Sequence, residues 1–208
     1  MDLRNSLDLI MESVKSYNTK PPYLLGENAL SEETAKILIE LVEERGKKST
    51  WDYNPDCYEF QIANPFSPYS RQNDDKIISI LPDLFALGES CMRKMNHTFT
   101  NNVCDIITGH HGFWVLKYGK DSGFEMHCDW YSGPNGIRPP IVATACIVLN
   151  DDYEGGETVI ECPSEENIVI TRNKLSIIMW DGFTQHKVSP ITEGTRYALV
   201  LHYTGSIK

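Results

Sequence analysis

His127 and Asp129 stand two residues apart, with Cys128 between them; His186 and, ten residues beyond it, Arg196 follow downstream. On an extended segment, residues two apart project to the same side and the intervening one points away. His127 and Asp129 can therefore reach one ion together, while Cys128 is disfavoured as a ligand. With His186 added, two imidazoles and one carboxylate occupy half the positions of an octahedral metal and leave the rest open. That donor set suits non-haem Fe(II). An Fe(II) ion so held keeps a single net positive charge, and Arg196 adds another. A bound 2-oxoacid with a second carboxylate would neutralise both, which is a physical reason for metal, diacid and guanidinium to occur together. Arginine is suited to holding a carboxylate through two parallel hydrogen bonds. Taken alone, Arg196 reads as a strand-end residue that reaches solvent or pairs with Glu193. Beside His127, Asp129 and His186 it reads as an anion-binding group.

The elements that must position these residues lie mostly after residue 103. Short β-branched or aromatic runs recur at 105–108, 113–118, 141–149, 157–160, 167–170, 174–180, 186–188 and 196–203, separated by turns such as Gly133-Pro-Asn-Gly136 and Glu154-Gly-Gly156. Many short strands at near-regular spacing predict a two-sheet barrel or jelly roll. In the last run, Arg196, Ala198, Val200 and His202 share one face, while Tyr197, Leu199, Leu201 and Tyr203 share the other, which is uniformly bulky and belongs in the core. His110-His111 sits between glycines and is expected in a solvated turn.

The first half of the chain is helical in texture. Residues 1–17 place Leu3, Leu7, Ile10, Met11 and Val14 at helical spacing, and Tyr23-Leu-Leu25 reads as a short strand. Ser31 is a natural N-cap, with Glu32 and Glu33 where the helix dipole favours anions. That helix should run to about Arg45, bury Ala35, Leu38, Leu41 and Val42, and stop at Gly46. Residues 76–98 predict another, with Pro82 in its first turn. Between them, 51–75 is rich in proline and aromatics without steady period. It is expected as a long loop with one strand near 57–63, either a substrate lid or an irregular surface segment.

Composition bounds the function. The 208 residues fit one domain, and the net charge of −10 with no basic run argues against general nucleic-acid affinity. Six cysteines without C-x-x-C pairing read as reduced thiols of a cytoplasmic protein. No stretch reads as a signal peptide or a membrane span.

The segments Tyr118–Asp129, Leu149-Asn-Asp-Asp-Tyr-Glu-Gly-Gly-Glu-Thr158 and Gln185-His-Lys-Val-Ser-Pro-Ile-Thr-Glu-Gly-Thr-Arg-Tyr197 together resemble the Fe(II)/2-oxoglutarate-dependent dioxygenases of the prolyl 4-hydroxylase type. The resemblance covers about residues 105–204 and, more loosely, the N-terminal helices. It implies a mainly β fold with bracing α-helices around a double-stranded β-helix (jelly-roll or cupin-like) core. Residues 1–208 would then form one domain, with helices and a substrate loop in 1–100 and the core in 103–204. It also implies His127, Asp129 and His186 as iron ligands and Arg196 as the holder of the distal carboxylate of 2-oxoglutarate. Tyr118, nine residues before His127, would give a hydroxyl to the same co-substrate. O2 is the oxidant, and ascorbate is expected to sustain turnover.

Three positions depart from patterns common in the family. Arg196 stands where collagen-type members generally carry Lys, which, with Trp180-Asp181, looks nearer the oxygen-sensing and bacterial members. Val148 stands where many oxygen sensors have a tyrosine, and His202 where Trp is frequent. His202 is therefore expected to line the pocket, or to bond 2-oxoglutarate or a metal-bound oxygen. A carboxylate at Asp129 implies hydroxylation rather than halogenation. The expected reaction is hydroxylation of a C–H bond in a prolyl residue of a peptide or protein, with release of succinate and CO2. The same chemistry on a free amino acid, metabolite or other side chain is the alternative, and a metal-binding jelly-roll module without turnover is the reading from another class. Trp130, Tyr131 and Arg138, just after the metal carboxylate, are candidate substrate contacts.

Overall fold

The structure is a computed structural model that describes residues 23–49, 56–62, 74–99, 104–130, 141–162, 166–170 and 173–207. The helix expected at 1–17, most of the 51–75 loop, and Tyr131 and Arg138 lie outside the described residues.

A seven-stranded antiparallel sheet forms the larger wall. In spatial order it contains β1 (Tyr23–Gly26), β10 (Ile177–Asp181), β6 (Ile141–Val148), β13 (Arg196–Ile207), β4 (Cys104–Tyr118), β3 (Cys57–Ile62) and β2 (Lys47–Lys48). The facing sheet has four strands: β5 (Phe124–His127), β11 (His186–Val188), β8 (Thr158–Ile160) and β9 (Ile168–Ile170). A two-stranded ribbon pairs β12 (Ile191–Gly194) with β7 (Tyr153–Gly155).

Strand alternation sorts the large sheet into two faces. Ile177 and Met179 of β10, Ala143, Ala145 and Ile147 of β6, and Leu199, Leu201 and Tyr203 of β13 pack outward under two helices. The opposite residues, Ile178, Trp180, Cys146 and Ala198, point inward and meet Ile160 of the small sheet. The division expected for 196–203 is therefore the one observed, and Arg196 falls on the inward face.

Helix α1 (Glu32–Arg45) begins where its sequence requires. Ser31 Oγ accepts from the Thr34 amide at 3.1 Å, and the Gly46 amide closes the last turn on Val42 O at 2.8 Å. Its buried face is Ala35, Leu38, Leu41 and Val42, as expected. Helix α2 (Asp75–Phe99) begins within one residue of the expected 76, capped by Asp74 Oδ1, which accepts from the amides of Lys76 (2.9 Å) and Ile77 (3.3 Å). Pro82 thus lies at the eighth position, inside the helix and not in its first turn. Proline there forfeits one intrahelical hydrogen bond. The helix continues because Leu84, Leu87, Cys91, Met95 and Phe99 beyond it are all buried.

A second correction concerns the two strands expected at 105–108 and 113–118. They are one strand, β4, and His110-His111 lies within it, not in a turn. The long β13 offers partners along its length, including Tyr203 opposite His110, with bulges that absorb the irregularity near the glycines. Among the described residues no helix is long and apolar enough to cross a membrane.

Candidate metal and co-substrate site

The small sheet brings the histidines together. In the β5–β11 ladder His127 is directly opposite His186, and their ring centroids lie 4.3 Å apart. His127 Nδ1 is 2.7 Å from Glu125 O, and His186 Nδ1 is 3.0 Å from Thr184 O. A carbonyl can only accept, so each Nδ1 carries a proton, and in the neutral ring each Nε2 then offers its lone pair to a metal. Burial, opposed by the nearby Asp129 charge, holds the His186 pKa below its ordinary value.

Asp129 closes the set from the other wall. It follows β5, yet its Oδ2 accepts from Thr144 Oγ1 of β6 at 2.6 Å and from Trp180 Nε1 of β10 at 3.0 Å. Those two donors pin the carboxylate to the large sheet through Oδ2 and leave Oδ1 turned to His127. His127 Nε2 lies 3.5 Å from Oδ1, and His186 Nε2 3.7 Å from Oδ2. One ligand atom each from His127, Asp129 and His186 can be chosen so that all lie within 4.8 Å of one another. Cys128 stands outside this group, as strand geometry requires. Burial raises the Asp129 pKa, but His186, His127, His202 and Thr144 outweigh it and hold the group well below the usual carboxylate range. Two imidazoles oriented through Nδ1 and an ionised, oriented carboxylate are a metal-ready donor set.

Thr144, Trp180 and Asp181 are the positioning residues that motif spacing does not reveal. Thr144 is a lone hydroxyl within an apolar strand, and Trp180 carries an indole N–H that must find an acceptor when buried. The Trp180 ring also lies 4.5 Å from that of His186. Asp181 Oδ1 accepts from the amides of Phe183 (3.0 Å) and Thr184 (2.9 Å), shaping the turn that delivers His186. Trp180→Phe keeps the packing but removes the hydrogen bond to Asp129. It should weaken divalent-metal binding about ten- to a hundredfold, measured by competition with a chromophoric chelator. Unchanged affinity would show that the bond does not orient the carboxylate.

Arg196 projects from the same inward sheet face and is more deeply buried. It is 1% exposed, its Nε has no hydrogen-bond partner, and its Nη2 approaches the weak acceptor Cys146 Sγ at 3.9 Å. Among the described residues no carboxylate pairs with it, Glu193 included. The Tyr118 ring lies across the β4–β13 ladder with its centroid 5.2 Å from the guanidinium carbon. Burial keeps the Tyr118 phenol protonated, hence a donor. Tyr118 and Cys146 are each close enough to feel both the Asp129 and Arg196 charges, so they stand between the donor set and the guanidinium. A buried cation that lacks a counter-charge is costly, and an anion carried in by a ligand is what this one fits.

The remaining candidates divide. His202 lies opposite Thr144 in the β13–β6 ladder, with Nε2 4.0 Å from Asp129 Oδ1, at the metal end and not beside Arg196. Trp130 stacks on Phe183 at 4.4 Å, and its amide donates to Gly182 O at 2.8 Å. It ties the segment after Asp129 to the turn before His186.

Comparison with known proteins agrees with this geometry. Residues 113–204 match the family model of the 2OG-Fe(II) oxygenase superfamily. A PKHD-type hydroxylase of Gloeothece citriformis is 31% identical over 91 residues, covering 43% of this chain and 41% of that protein. The chain therefore spans about two fifths of the length of such curated relatives. A prolyl hydroxylase from Trichoplax adhaerens, solved with a hypoxia inducible factor peptide fragment, superposes with a TM-score of 0.69 at 17% identity. That match covers 99% of this chain and 94% of the other. A viral collagen prolyl hydroxylase of Paramecium Bursaria Chlorella virus-1, solved with 2OG, gives 0.62 at 15% identity over 88% and 95%. Residues 113–204 are accordingly similar to the 2OG-Fe(II) oxygenase superfamily, and the chain has the double-stranded β-helix fold of the prolyl hydroxylases.

Proposed function

We propose that the chain is a single-domain Fe(II)- and 2-oxoglutarate-dependent dioxygenase that hydroxylates a C–H bond of a peptide or protein, a prolyl residue being the favoured target. The observation that carries this reading is a fully buried guanidinium with an open Nε, in the same cavity as a His–Asp–His donor set. A metal-binding module without turnover has no need of both.

His127 and His186 would hold Fe(II) through Nε2, and Asp129 through the oxygen that Thr144 and Trp180 leave open. Arg196 and Tyr118 would receive the distal carboxylate of 2-oxoglutarate. When bound, Fe(II) and 2-oxoglutarate use dioxygen to convert R–H into R–OH, with succinate and CO2 as the other products. The protein's part is to orient the substrate and keep water out. Full burial of Arg196, against side chains 30% and 27% exposed at His127 and His202, supports entry of the substrate from the histidine side. Tyr131 and Arg138, outside the described residues, remain candidate substrate contacts. The relatives' names and the peptide bound to the Trichoplax protein support a peptidyl substrate. A reducing, cytoplasmic setting fits Cys57, Cys91, Cys128, Cys146 and Cys162, all free thiols.

The test is succinate release with Fe(II), 2-oxoglutarate, ascorbate and O2, with and without proline-containing peptides, followed by mass spectrometry. Succinate stimulated by peptide, together with a gain of one oxygen on proline, is the expected result. Oxygen gained by a free amino acid or small metabolite instead would move the substrate class, and no succinate under any condition would leave a binding module.

A further inference from the structure

A carboxylate offers more lone pairs than one edge of a guanidinium satisfies. Tyr118 supplies one phenol beside Arg196, and a second approaches from the ribbon. Tyr153 of β7 is 3% exposed and shares a buried cluster with Tyr118, Cys57, Val148 and Ile191. A Cβ added at Gly156, whose φ is +69°, would meet Tyr153 Cε2 at 3.0 Å and Arg196 Cδ at 3.1 Å. The Tyr153 ring and the arginine stem therefore converge on one point of backbone that only glycine leaves open. Pairing of Tyr153 with Gly194 in the β7–β12 ladder fixes the backbone from which the ring projects. Val148, in the same cluster on β6, has no hydroxyl to offer.

We propose that Tyr153 is a specificity-determining residue, its hydroxyl donating to the distal carboxylate of the 2-oxoacid beside Arg196 and Tyr118; this rests on the 2-oxoglutarate reading above. Two phenols and a guanidinium select a dicarboxylic oxoacid. One ending in methyl would leave the buried Arg196 Nε without an acceptor, and such a mismatch discriminates strongly. Tyr153 thus supplies from the ribbon a phenol that the sheet position Val148 lacks.

Calorimetric titration of the Mn(II)-loaded protein tests this, with 2-oxoglutarate and with 2-oxopentanoate, which has the same carbon chain and a methyl in place of the distal carboxylate. Tyr153→Phe, which deletes one oxygen, should weaken 2-oxoglutarate roughly ten- to a hundredfold. It should leave 2-oxopentanoate and Mn(II) affinities within about twofold, and Tyr118→Phe should show the same pattern. Unchanged 2-oxoglutarate affinity in Tyr153→Phe overturns the assignment alone. An equal loss for both oxoacids also overturns it, because the residue would then be merely structural. Failure of the wild-type protein to bind 2-oxoglutarate overturns the functional reading and the assignment with it.

Discussion

Arg196→Met is expected to abolish measurable 2-oxoglutarate binding while leaving the ligand-free protein at least as stable as wild type. The side chain is 1% exposed with an unsatisfied Nε, so the ligand-free fold carries the desolvation cost of a charge without its compensation. An apolar residue of similar length relieves that cost, as replacement of buried ionic groups often does. In the Mn(II)-loaded wild type, 2-oxoglutarate at a hundred times its Kd should add about 2.7 kcal/mol. For a chain of this size that is roughly 5–10 °C in Tm. The variant should show no ligand-dependent shift, by differential scanning calorimetry. An equal shift in both proteins would mean that the distal carboxylate binds elsewhere.

Asp129→Ala should lower divalent-metal affinity by more than about a hundredfold and eliminate succinate formation. Loss of an outer partner alone costs about ten- to a hundredfold, and here the anionic donor itself is removed. The substitution also strands the Thr144 hydroxyl and Trp180 indole N–H, each now bonded to Oδ2, at about 1–3 kcal/mol apiece. Asp129→Asn separates the two effects, since it keeps the shape and an acceptor but not the charge. Metal loss common to both variants, read by equilibrium dialysis, assigns the effect to the carboxylate. Unchanged metal affinity and turnover in Asp129→Ala would remove the residue from the donor set.

What was legible in the sequence follows from how local each signal is. Helix α1 was readable end to end because Ser31, the acidic first turn and Gly46 act within one turn of themselves. Pro82 misled because its local preference for a first turn is overridden by five buried side chains downstream. The glycines around His110-His111 read as a turn, but pairing with the distant β13 holds them in one strand. The same distance dependence divides the site. His127 and Asp129 announce themselves by spacing, whereas the pairing of His127 with His186 is a register that no spacing encodes. Trp180 and Thr144 meet Asp129 from strands far along the chain, and Tyr153 reaches Arg196 through a two-stranded ribbon. Buried polar atoms without local partners were the available clue.

Anaerobic visible absorption of the Fe(II)-loaded protein during titration with 2-oxoglutarate tests most directly whether donors and guanidinium serve one bound oxoacid. A metal-to-ligand charge-transfer band should grow and saturate with 2-oxoglutarate in the wild type, and should be absent from Asp129→Ala and from Arg196→Met at the same concentrations. A band of equal strength and affinity in Arg196→Met, or none in the wild type with Fe(II) bound, would contradict the account.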